Sequence, residues 1–255
     1  MPKRELFYYA WDSLSPLPLG TTAGCKLSMM TGRCQVRHVA IVAMSLILGA
    51  CVGTRTTTMS GEQSHSLQGK SLAVTTRAKP DFGAMTPGKA MFAMVGAFAM
   101  ISAGNKIVAE NAIEDPANAM GEQLRQALME KDGLVSATGQ ESLATTTDTA
   151  KLATQYAYAD YVLDVQTINW SFIYRPNLGT QHYRVIYSVK VRLIDTHKAS
   201  LLAEGFCVRK DDNDPNPPTH DELLANHAEI LKAKLKADAS ECVGELKQKI
   251  LGSVT

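Results

Sequence analysis

The sequence predicts an α/β (α+β) sandwich: a mixed sheet ending in a three-stranded antiparallel meander, packed with helices that include a long C-terminal helix. Three observations predict it. Tyr161 to Ile173 and Tyr183 to Ile194 alternate at period two, which is the signature of half-buried strands. Leu224, Ala228, Leu231, Leu235, Cys242, Leu246 and Ile250 recur at helical spacing, which marks one buried stripe. Between Asp115-Pro116 and Gly133 the apolar residues Met120, Leu124, Ala127 and Leu128 again share one helical face, and Pro opens and Gly closes the run.

In chain order, Ser71 to Arg77 reads as a first strand and Asp81 to Lys89 as a Gly/Pro loop. Ala90 to Ala103 is free of charge and short for a membrane span, so a buried helix is the better reading and a partner or membrane contact the alternative. Its Met91, Met94, Met100, Phe92 and Phe98 give it a soft, adaptable surface. Asp115-Pro116 then begins the second helix, Leu134 to Ala137 reads as a short strand, and Asp148 caps a helix with Leu152, Tyr156 and Ala159 on one side. In the strand from Tyr183, residues 183, 185, 187, 189, 191 and 193 face one way. Pro176, Asn177 and Gly179 mark the hairpin loop before it, and Asp195 to Lys198 turns into a third strand over Ala199 to Arg209. Asp211 to Pro218 is an acidic, proline-rich loop, and Thr219 with Glu222 forms a capping box for the last helix.

The chain before this domain has a different grammar. Arg33 and Arg37 precede an uncharged run from Val39 to Leu48, and Leu48-Gly49-Ala50-Cys51 closes it. Basic, apolar and small-residue regions in that order specify a secretory signal. The Leu-Gly-Ala-Cys ending resembles the lipobox of bacterial lipoproteins. That resemblance implies acylation of Cys51, removal of residues 1–50, and attachment to a lipid bilayer. Val52 after the cysteine implies sorting to the outer membrane, facing the periplasm. Met29 or Met30 would give a leader of ordinary length. Residues 51–70 are rich in Thr, Ser, Gly and Gln and read as a flexible tether, leaving 71–255 as a single periplasmic domain.

Five of the 26 basic residues and two of the 25 acidic residues lie before residue 52. The remaining 21 and 23 give a net charge of −2, with no basic surplus for phosphates, so nucleic acid is not an expected partner. Cys207 and Cys242 are the cysteines left beyond Cys51, and in an oxidising compartment a disulfide is the natural reading, with two separate buried thiols as the alternative.

Tyr158-Ala159-Asp160-Tyr161-Val162-Leu163-Asp164, followed by Val189 to Thr196, is similar to a pattern in envelope lipoproteins. It resembles the α/β domains of the curli-secretion-channel lipoproteins, of the lipoprotein activators of penicillin-binding proteins, and of the amino-terminal domain of the Tol-system propeller protein. The resemblance implies the fold. A secretion channel would need alternating membrane segments of about 9–11 residues, and Ala90 to Ala103 does not alternate.

No string assembles a nucleophile with its base, so neither enzyme activity nor a cofactor is expected. Asp211, Asp212, Asn213 and Asp214 lack the spacing of a calcium loop, and His220 with His227 lacks a third ligand, so no metal is expected. Trp170, Phe172, Tyr174 and Tyr183 cluster at the first hairpin and form the candidate binding surface, with core packing as the alternative. The expected function is binding of another envelope protein in assembly or regulation, the alternative being a small-molecule or glycan-binding lipoprotein.

Overall fold

A computed structural model describes residues 56–90, 93–139, 142–175 and 182–251. The expected leader, Cys51, and the hairpin residues Pro176, Asn177 and Gly179 lie outside these. The described elements are α1 (Gly61–His65), β1 (Ser71–Val74), β2 (Gly83–Met85), α2 (Pro87–Ala90), α3 (Ala93–Glu110), α4 (Ala117–Asp132), β3 (Val135–Ser136), α5 (Thr149–Gln155), β4 (Tyr161–Tyr174), β5 (Tyr183–Asp195), β6 (Ser200–Lys210) and α6 (His220–Leu251).

The sheet runs β3-β1-β4-β5-β6, with β2 paired to β4. β4 is long enough to hold β1 and β2 in tandem: β1 runs parallel to its first residues, Leu72 opposite Tyr161, and β2 to its last, Gly83 opposite Ser171. β4, β5 and β6 form the expected antiparallel meander. This is the mixed α/β sheet the sequence predicts.

Period-two patterning decides which face each strand buries. Tyr183, Val185, Tyr187, Val189, Val191 and Leu193 of β5 enter the main core with Leu163, Val165, Trp170 and Phe172 of β4. Over them lie Met120, Leu124 and Leu128 of α4, and Leu231, Leu235, Cys242 and Leu246 of α6. A register shift between Thr167 and Asn169 inserts one residue, so the core-facing series 161, 163, 165 resumes at 170 and 172. The opposite face is smaller: Ala73, Val162 and Ile194 pack against Leu152, Tyr156 and Ala159 at α5. Asp148 caps α5 through the Lys151 amide, as its position predicts. α4 ends on Gly133 at φ 68°, whose N–H donates to the Met129 carbonyl.

Four expectations change. The stretch read as a flexible tether is folded in its described part, residues 56–70. Thr57 and Glu204 exchange two backbone hydrogen bonds of 2.9 Å, laying the segment on the edge of β6. Ser60 and Gln63 form a capping box on α1, and Met59 and Leu67 enter the core. Average composition missed two apolar anchors; each buried side chain of this size contributes about 1.5–3 kcal/mol. The loop over 81–89 contains β2 and α2, because β4 outruns β1 and leaves edge groups to be paired.

The last helix is not one straight stripe. Ala225 is extended, and Asn226, His227 and Ala228 sit at φ 52°, 58° and 57°. The break shifts the buried position from Leu224 to Leu223, whereas Ala228, Leu231 and the residues after them keep the predicted stripe. Three left-handed non-glycine residues cost about 1–2 kcal/mol each. The fourth change concerns α3 and belongs to the site.

Candidate functional site

The aromatic residues expected at the surface are inside. Trp170 and Phe172 are fully buried and Tyr183 nearly so; only Tyr174 is partly exposed. Phe82 meets Trp170 edge-on with ring centroids 5.1 Å apart, and Phe172 meets Tyr183 at 5.6 Å. The Trp170 indole N–H donates to the carbonyls of Pro80 and Asp81 at 3.2 and 3.0 Å. His220 packs on Tyr183 and Phe172 at 5.5 and 5.9 Å. The extra residue after Thr167 turns positions 170 and 172 inward and makes this a core cluster. Burial pushes the Tyr183 hydroxyl pKa up.

Among the described residues the most exposed large apolar side chain, Phe98, lies on α3. Gly96 and Gly104 bring its backbone against the domain, and Val108 and Ile107 join the core at its C-terminal end. A Cβ on Gly96 would stand 2.0 Å from the Lys89 carbonyl oxygen, and one on Gly104 would stand 1.9 Å from that of Phe82. Only glycine permits this approach. Asn105 completes the contact: its Oδ1 accepts the Phe82 N–H at 2.9 Å and its Nδ2 donates to Asp81 at 2.8 Å.

With the glycine face turned inward, the opposite face turns out. Phe98 is 70 % exposed, Ala97 and Ala99 are exposed, and Met100 and Ile101 are half-buried. No charged residue occurs in α3 before Lys106. Of the two readings of this stretch, a buried helix or a contact surface, the exposed face fits the second: α3 is a surface helix docked through Gly96, Gly104 and Val108. No described helix is long and apolar enough to cross a membrane.

Cys207 and Cys242 are joined in a disulfide, with Cα atoms 5.6 Å apart, and both residues are buried between β6 and α6. The acidic loop is held by the chain's own cations. Lys234 bonds Asp211 and Asp214 at 2.8 Å each, and Arg184 bonds Asp212. His220 and His227 do not share a helical face, because the break in α6 separates them.

One feature was not legible in the strand pattern. Asp164 is buried on β4 and accepts hydrogen bonds from the Thr75 hydroxyl at 2.9 Å and from Arg77 Nε at 2.7 Å. The Arg192 guanidinium reaches its other oxygen at 2.6 and 3.1 Å. The two arginines then donate to the carbonyls of Thr146 and Thr147, which fastens that loop over the sheet.

No protein-family model matches the chain. No curated protein matches it in sequence. Solved structures with a similar arrangement include the PelC dodecamer from Paraburkholderia phytofirmans, 14% identical, with a TM-score of 0.36 over 78% of this chain and 97% of that one. A lipoprotein from Neisseria meningitidis is 14% identical, with a TM-score of 0.27 over 70% of this chain and 99% of that one. The C-terminal domain of LpoB from Escherichia coli is 17% identical, with a TM-score of 0.18 over 66% and 93% respectively. At such identities these matches assign neither a partner nor an activity.

Proposed function

We propose that the chain is a non-enzymatic, outer-membrane-anchored periplasmic lipoprotein that binds another envelope protein through the outer face of α3. The observation that carries this reading is Phe98, at 70 % the most exposed large apolar side chain among the described residues, on a helix without charge before Lys106. Contiguous exposed apolar surface costs solubility and is characteristic of interaction sites. The Leu48-Gly49-Ala50-Cys51 ending supports the lipid anchor. A glycan or small-molecule reading loses its support, because the aromatic platform it needs lies in the core.

Two results test the proposal. A photoreactive side chain at position 98 should crosslink one specific protein in the native envelope, and the same probe at exposed Gln126 on α4 should not; no adduct from position 98 would sink the partner. Labelled fatty acid should appear on the wild-type chain and vanish in Cys51→Ser; label persisting in that variant would sink the anchor.

A further inference from the structure

The loop of residues 211–218 closes over α6 beside a carboxyl group that has no partner. Asp238 is 6% exposed and its Oδ2 accepts no hydrogen bond. It lines a cavity of about 440 Å³ shared with Asp211, Asp214, Lys234, Arg209 and Glu241. Lys234 lies one helical turn before Asp238 and spends its ammonium on Asp211 and Asp214, 2.8 Å from each. Residues four apart on a helix are neighbours, so Asp238 lies within electrostatic reach of the cation that holds the loop.

The loop in turn holds the base of the first hairpin. Arg175 donates to the Asp212 carbonyl at 2.9 Å, Arg184 pairs with Asp212, and the His182 ring lies 2.9 Å from the Pro217 carbonyl.

We infer that Asp238 is a proton-operated latch. Neutral, it leaves Lys234 to hold the loop closed; ionised, it draws Lys234 away from Asp211 and Asp214 and releases the loop together with the hairpin base.

The surroundings set the direction. From the loop, Asp211 and Asp214 face the site; from β6, Arg209 and Lys210; from α6 itself, Lys234 and Glu241. Tyr187 on β5 lies within electrostatic reach of Asp238 and also of Asp115, and the groove between α4 and α6 carries Glu114, Asp115, Lys232 and Lys236 beside Ala119, Met120 and Gln123. Burial, then Asp211 and Glu241, push the Asp238 pKa up to about 7 from an ordinary 3.8, against Lys234 and Arg209. The closed form therefore holds a proton more tightly than an open form in which Lys234 faces Asp238, and by linkage closure weakens as pH rises towards about 7.

Hydrogen exchange tests this. After correction for intrinsic rates, amide protection in 211–218 should fall about tenfold between roughly pH 5.5 and pH 8.5. Asp238→Asn should hold the protected level at both, and Lys234→Met should lose it at both. A carboxyl carbon titration of Asp238 in the wild-type chain should show its midpoint near 7. Protection independent of pH, pH dependence retained in Asp238→Asn, or an ordinary Asp238 midpoint would each overturn the latch.

Discussion

Replacing Asp164 by asparagine is expected to cost about 3–5 kcal/mol of stability, because it breaks a buried ion pair from one side. The change leaves the Arg77 and Arg192 side chains, 12% and 9% exposed, facing an amide that neutralises neither. Each charged group was desolvated on the condition that its partner be present. For a fold of this size the loss corresponds to a fall of roughly 6–20 °C in the thermal midpoint. The damage should also be local. The carbonyls of Thr146 and Thr147 lose firmly placed donors, so amides of 144–148 should lose protection before the rest of the sheet does. A midpoint unchanged in Asp164→Asn would show that the two arginines find solvent without cost. The complementary variant is instructive. Replacing Arg77, Asp164 and Arg192 together by apolar side chains of matched volume should recover most of the loss, since a buried triad is costly to break yet little better than good packing.

The second large effect is loss of the Cys207–Cys242 bridge. The two positions are 35 residues apart, and they tie β6 to α6 across the acidic loop and the break at Ala225 to Ala228. Closing a loop of that length removes freedom from the unfolded chain, and on the chain-entropy model this stabilises by about 3–4 kcal/mol. The double variant Cys207→Ala, Cys242→Ala should lower the urea midpoint accordingly, with a change in slope if the unfolded chain expands. A midpoint and slope equal to those of the wild type would mean that packing alone holds α6 to β6. The strain of three left-handed residues in α6 makes that outcome unfavourable, because the helix that must dock is the one with the unfavourable backbone.

Much of the fold was legible because it depends on short-range periodicity. Alternation along Tyr183 to Leu193 named the buried face of β5 residue by residue, and the stripe from Ala228 to Ile250 named that of α6. Asp148, Gly133 and the Thr219–Glu222 box mark helix ends because capping needs only residues three or four apart. The two cysteines could be paired from count and compartment. Composition failed where it averaged over the chain: residues 56–70 are polar in the mean, yet Met59 and Leu67 enter the core while Thr57 pairs with Glu204.

The candidate site was the least legible part, and for one reason. Whether Trp170 or Phe98 faces solvent depends on what packs against it. A single inserted residue after Thr167 turned the hairpin aromatics inward, and Phe82, distant in sequence, closed over them. On α3 the apolar count predicted burial, but the backbone of Lys89 and Phe82 approaches so closely that only Gly96 and Gly104 fit beneath it. The sequence by itself determined the α/β class, the meander and the helix ends. Tertiary structure alone decided that Asp164 sits opposite Arg192, that Asp238 lacks a partner, and that α3 shows Phe98 to the outside. Periodicity records which side of an element is apolar. Only long-range pairing decides what, if anything, covers it.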